Sequence, residues 1–252
     1  MKKYFVCALA ALSFTACVNE DGLLSETKGY INLNVNADNE MVVTRAEQTV
    51  SDLSNWTINI KKGGNAAANW TATQGYAAGT DYSAEVYNYA DDDAANKANN
   101  GWGDARYSGA TENNFEVKAG QSTTVNIDCG TAKNTKVTAT FADGFTSLVT
   151  NYNITLAGRG LTFNSTNASS ANAYYAANTN VSYTLTYTYK GTEKKVENCS
   201  LNTGNAGTAT NILVNANDNG TIALNITYDD AWTTGTEQSI TIDAATGAEV
   251  TE

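Results

Sequence analysis

The chain reads as an all-β protein built from two consecutive β-sandwich domains. Two observations predict this. Short runs in which apolar and polar residues strictly alternate recur from Tyr30 to Ile242, separated by Gly, Asn, Asp and Ser. A helical period is almost absent, and Asn, Thr, Ala and Gly dominate the composition. Thr and Tyr suit pleated surfaces, whereas Asn and Gly suit turns.

The elements follow in order. Tyr30 to Asn36 (YINLNVN) places Ile31, Leu33 and Val35 on one face and asparagines on the other, a half-buried strand. Trp56, Ile58 and Ile60 alternate again before a Lys61-Lys-Gly-Gly64 turn. Residues 65–81 are rich in Ala, Asn and Gly, and Tyr82 to Tyr89 is the next strand. Ala90 to Gly103 reads as a long polar loop. Phe115 to Val117 and Thr123 to Cys129 close the first domain, residues 30–130. Gly130 to Asn134 reads as the joint. The second domain, 131–252, begins with alternation at Val137, Ala139 and Phe141 and a short helix over Asp143 to Val149. Strands at Ile154/Leu156 and Leu161/Phe163 come next, then a Ser/Asn/Ala-rich stretch over 164–180. Val181 to Tyr189 is the longest clean alternation. Strands at Glu193–Cys199, Thr208–Val214, Thr221–Tyr228 and Gln238–Ile242 complete the chain, with Asn219-Gly220 as a hairpin turn.

The start of the chain has a separate logic. Met1-Lys2-Lys3 is a positive n-region, and Tyr4 to Leu12 is an apolar h-region too short to span a bilayer. Ser13 to Ala16 then brings small residues up to Cys17. This resembles a bacterial lipoprotein signal over residues 1–16, with Cys17 as the acylated residue. Each buried methylene of an acyl chain contributes about 0.8 kcal/mol, so several chains anchor durably. The expected partner is therefore the outer membrane. Residues 17–29 read as a tether, and its acidic opening (Val18-Asn-Glu-Asp21) resembles the export signal of surface lipoproteins in the Bacteroidota.

Composition excludes several functions. With Lys2 and Lys3 gone, 13 of the 15 basic residues face 26 acidic ones, a net charge of −13 that disfavours nucleic acid. The chain has no histidine. That removes His-based acid–base catalysis, the Ser-His-Asp and Cys-His systems, and His-ligated metals. No carboxylate spacing suggests an enzyme, and no cofactor or metal is assigned. Asp91-Asp92-Asp93 and Asn217-Asp218-Asn219 match no complete calcium loop. Cys129 and Cys199 read either as a disulfide or as two buried small hydrophobes; the second is favoured. Trp102 with nearby Tyr107, and Trp70, are candidate ligand-binding aromatics that would suit a glycan; packing in the core is the competing reading. Trp56 reads as a core residue, and Trp232, after Asp229-Asp230 in a loop, is equally ambiguous.

A family resemblance adds to this. The strand GYINLNV, the Thr44-Arg45-Ala46 segment, SNWTINI, GTDYSAEVYN, the aromatic loop GWGDARYSG, the pair NNFEVKAGQSTTVNIDC and the opening NTKVTATFAD occur in that order. Together they resemble the Bacteroidota lipoproteins grouped as domain of unknown function number 4493. The chain departs from that family in lacking a proline-containing turn before the GTDY run. More broadly it is similar to fimbrillin-type lipoproteins of type V pili. That resemblance implies two transthyretin-like (or immunoglobulin-like) sandwiches and a role in adhesion or as a fimbrial subunit. It also implies cleavage after an arginine that frees a leading strand, whose place a neighbouring subunit fills by β-strand addition. Here the arginine would be Arg45 and the strand 30–36. The plainer reading keeps Arg45 as a solvated linker residue, and a lone basic residue in a polar stretch favours it. A surface glycan-binding protein for nutrient capture is the alternative function.

Overall fold

The computed structural model describes residues 27–37, 55–217, 221–229 and 238–250. The leader, Cys17, Arg45, Asp218, the Asn219-Gly220 turn and Trp232 lie outside the described residues.

Strands form where the sequence alternates. The first half holds β1 (Lys28–Ala37), β2 (Thr57–Lys62), β3 (Asn65–Ala66), β4 (Gly75–Ala77), β5 (Gly79–Tyr87), β6 (Ser108–Ala110), β7 (Phe115–Val117) and β8 (Ser122–Cys129). A sheet of order β4-β1-β8 packs on a second of order β3-β2-β5-β6, in which β7 also pairs with β5. Their inner faces share one apolar cluster, including Ile31, Leu33, Val35, Ile60, Val86 and Ile127.

The second half, after the first half's helix α1 (Asp92–Lys97), holds β9 (Asn134–Phe141), the short helix α2 (Asp143–Leu148), β10 (Thr150–Leu156), β11 (Leu161–Asn164), β12 (Ala173–Ala176), β13 (Asn180–Tyr189), β14 (Thr192–Asn202), β15 (Ala209–Ala216), β16 (Thr221–Asp229) and β17 (Gln238–Asp243). Sheets of order β11-β10-β13-β14 and β12-β9-β15-β16-β17 enclose a larger cluster that includes Phe145, Ile154, Phe163, Tyr187, Ile212 and Leu224. Each half thus buries the apolar faces of two sheets against each other, which is sandwich architecture. Each half also opens with a strand paired in parallel to a later one, β1 with β8 and β9 with β15. The other strand pairings among the described residues are antiparallel.

Three local features differ from the sequence expectation. β1 begins at Lys28, so Lys28 and Gly29, read as tether, are strand. The 164–180 stretch contains β12, held by its antiparallel pairing with β9. The stretch read as a loop from Ala90 to Gly103 contains α1 (Asp92–Lys97) and a 3-10 turn (Asn99–Gly101). The helix starts because Asp91 Oδ1 accepts the Ala94 N–H at 2.8 Å. Asp92 and Asp93 in its first turn and Lys97 in its last complement the helix dipole.

The joint between the halves is tightly bonded. Lys133 N donates to Arg106 O at 2.7 Å, Arg106 N to Asn134 Oδ1 at 2.9 Å, and Asn134 Nδ2 to Asp104 O at 2.7 Å. Arg159, in the β10–β11 turn, reaches back across it. Its guanidinium donates to the Asn96, Gly101 and Tyr174 carbonyls and lies over the Tyr175 ring, 4.6 Å from the centroid. The carbonyls at the end of α1 and of the 3-10 turn are thereby satisfied by a cation from the other half.

Candidate functional site

β1 is the first described strand of the chain, and it sits in the middle of its sheet. On one side it pairs with β8 in parallel from Tyr30↔Ser122 to Ala37↔Cys129. On the other it pairs with β4 from Lys28↔Ala77 to Tyr30↔Gly75. Ile31, Leu33 and Val35 point into the core, and Asn32, Asn34 and Asn36 point to solvent. The polar face is stitched to β8, since Asn34 Nδ2 donates to Asn126 Oδ1 at 3.1 Å and Asn36 Nδ2 to Asp128 Oδ1 at 3.4 Å. The three apolar side chains contribute about 1.5–3 kcal/mol each by burial. Together they rival the whole net stability of a small domain, about 5–15 kcal/mol.

The seat is shaped to the strand. At Gly29 an added Cβ would lie 2.1 Å from Lys118 O and 2.9 Å from Val117 Cγ1, so only glycine lets β1 pass the β7–β8 turn. Tyr30 N donates to Gln121 O and Gly120 N to Lys28 O, both at 2.8 Å. β4 is short, and beyond it Trp70 takes over. Its indole N–H donates to Ile31 O at 3.0 Å. Beneath, Tyr76 of β4 meets Tyr82 edge-on, 6.2 Å between centroids. Burial, then the neighbouring Tyr82, pushes the Tyr76 hydroxyl up to about 12.

The candidate aromatics fall into different roles. Trp70 is half-buried and bonds the main chain of β1. Tyr107 is only 2 % exposed and stacks on Trp56 at 6.2 Å, so it presents no face to a ligand; of the two readings the sequence left open, it takes the core one. Its burial follows from the bridge between Tyr107 and Ala132 at the joint. Trp102 packs edge-on to Phe163 of the other half at 5.1 Å, and part of it lines a cleft. Cys129 and Cys199 are both free and buried, each in its own half's cluster. Burial, reinforced by Asp128, pushes the Cys129 thiol up to about 11. Among the described residues no group of three or more His, Cys, Asp or Glu side chains is placed to hold a metal ion. Sequence reasoning missed Trp70 as a strand clamp and Arg159 as the bridge. Their partners are backbone carbonyls, for which the side-chain pattern carries no signal.

Comparison with known proteins finds one family model and several similar solved structures. The family model described as Domain of unknown function (DUF4493) matches residues 27–244. Among solved structures, a "putative cell adhesion protein" from Bacteroides ovatus ATCC 8483 is similar at 14% identity and a TM-score of 0.40, covering 83% of this chain and 99% of that one. A fimbrial protein from the same organism is similar at 7% identity and a TM-score of 0.39, covering 75% of this chain and 48% of that one. No curated protein matches the chain.

Proposed function

This chain belongs to the DUF4493 family, and we propose that it is a lipid-anchored cell-surface protein of adhesion or fimbrial type, working without catalysis. The observation that carries this reading is the seat of β1. The leading strand is built into the core, yet it is continuous with the rest only through the segment that contains Arg45. One cut after Arg45 parts β1 from everything that follows. Its departure leaves an apolar groove flanked by the unpaired edges of β4 and β8. Such edges take a strand from another chain, with main-chain bonds giving affinity and alternate side chains giving specificity. The groove reads Ile31, Leu33 and Val35 at alternate positions, so an incoming strand needs apolar residues at that spacing.

The anchor rests on the leader and Cys17. An acylated Cys17 holds the unprocessed chain on the outer membrane, facing outward on the acidic export pattern that follows it. The test is fractionation. Wild-type protein is expected in the membrane fraction, acyl-labelled and removed by protease added to intact cells, whereas Cys17→Ala is expected unlabelled and soluble. Unchanged membrane retention and labelling of Cys17→Ala overturns the anchor.

A further inference from the structure

We propose that the cleft between the two halves binds a neutral sugar, a function separate from strand assembly. The cleft has a volume of about 370 Å³. That falls within the ~300–1,000 Å³ of small-molecule sites and is roughly the space of one or two pyranose rings. Its walls come from both halves. Asn99, Trp102 and Asp104 come from the segment after α1, Ser170 and Asn172 from the segment leading into β12, and Tyr174 from β12 itself.

The walls are held in place from below. Tyr174 N donates to Trp102 O at 2.8 Å, and Arg159 bonds the Tyr174 and Gly101 carbonyls on either side. Gly103, at φ +85°, lets the two segments touch, since a Cβ there would sit 2.9 Å from Tyr174 Cβ. The site is therefore formed before any ligand arrives.

Its chemistry suits a hydroxyl-rich, uncharged ring. Two aromatic side chains supply apolar surface for the C–H face of a sugar. Around them stand amides and the Ser170 hydroxyl, which donates to Asn167 O at 3.3 Å and keeps its oxygen lone pairs as acceptors. The Trp102 indole N–H and the Asn172 side-chain amide make no hydrogen bond to the described residues, and Asn99 uses only its Nδ2, on Gly103 O at 2.9 Å. These groups offer donors and acceptors together, as sugar hydroxyls require. Among the described residues lining the cleft, Asp104 is the one charged side chain, fixed by the Tyr89 hydroxyl at 2.9 Å. That carboxylate, on a chain of net charge −11, disfavours acidic sugars, and the cation behind the walls, Arg159, is engaged on the Asn96, Gly101 and Tyr174 carbonyls.

The test is a titration of the full folded protein, followed by its Trp102 indole and the backbone amides of residues 167–174 in nitrogen–proton correlation spectra. The probes are glucose, galactose, mannose and N-acetylglucosamine, against glucuronic and sialic acids. At least one neutral sugar is expected to shift these signals saturably, and the acidic sugars to shift them less. Asn172→Ala is expected to weaken that binding about fivefold to tenfold, the loss of one hydrogen bond. Trp102→Phe keeps an aromatic ring on Phe163 but removes the N–H, and is expected to weaken it similarly. Oligosaccharides ending in the active sugar separate recognition of a chain end, which they then bind at least as tightly, from capture of the free sugar. Signals unmoved by every neutral sugar at millimolar concentration, acidic sugars binding as well as neutral ones, or Asn172→Ala and Trp102→Phe binding as tightly as wild type would each overturn the proposal.

Discussion

Leu33→Ala probes the seat of the leading strand directly. Leu33 lies at the middle of β1, 5 % exposed and in register with Val125 of β8. Its side chain belongs to the first half's apolar cluster, between Ile31 and Val35 on the same face. Truncation loses its transfer free energy and leaves a cavity, a cost of about 2–5 kcal/mol. With a urea slope of about 1–3 kcal/mol per molar, the midpoint of the first half falls by about 1–2 M. The control is the next residue. Asn34 points to solvent and makes one exposed bond to Asn126, so Asn34→Ala costs about 0.5 kcal/mol or less. The assay is equilibrium urea unfolding followed by tryptophan fluorescence, with Trp56 and Trp70 packed against the first-half cluster as reporters. A Leu33→Ala midpoint indistinguishable from that of Asn34→Ala would refute the assignment of β1 to the core.

Two further outcomes are expected. Arg159→Ala removes the cation that bonds two carbonyls across the joint, Asn96 and Gly101, and one in its own half, Tyr174, and is expected to cost about 3 kcal/mol, with a red shift of Trp102 emission and a larger radius in small-angle scattering. Arg159→Lys recovers part of this, because an ammonium cannot reproduce the planar fork; an Arg159→Ala protein with unchanged emission and radius would contradict the role. Burial raises the Tyr76, Tyr89 and Tyr187 hydroxyls to about 12. The folded state therefore holds these protons more tightly than the unfolded chain, so their contribution is complete below about pH 10 and is lost as pH rises to about 12. Alkaline titration by ultraviolet absorbance is expected to show a late tyrosinate step coincident with loss of circular dichroism, and complete tyrosine ionisation in a still-folded protein would contradict it.

Much of this architecture was legible because burial alternates with the pleat. Ile31/Leu33/Val35, Val125/Ile127 and the Val181–Tyr189 run each show their inner face in the sequence. Hairpin pairing was legible where a turn signals it, as at Asn219-Gly220 between the antiparallel strands β15 and β16, but long-range pairing was not. Tyr30 meets Ser122 across a long stretch of chain, and no local pattern encodes a parallel register. α1 was hidden by its Asp, Asn and Ala composition, although the Asp91 cap and the Asp92/Asp93-to-Lys97 charge order were there to be read. β12 is too short to show a period and exists through its pairing with β9. The aromatics were the hardest. Trp70, Trp102 and Tyr107 all sit near glycines and polar residues, yet one clamps a strand, one spans the joint and one is core. Tertiary contacts alone distinguish them.

Assembly by strand replacement is tested most directly by arginine-specific proteolysis. The chain's arginines are Arg45, Arg106 and Arg159. The last two are engaged in hydrogen bonds at the joint, so cleavage is expected after Arg45 alone. The trimmed protein is expected to form a ladder of SDS-resistant oligomers on unheated gels. A synthetic peptide of Lys28–Ala37 in excess should suppress that ladder by refilling the vacated seat. Trimmed protein that remains strictly monomeric, with or without the peptide, would contradict the account.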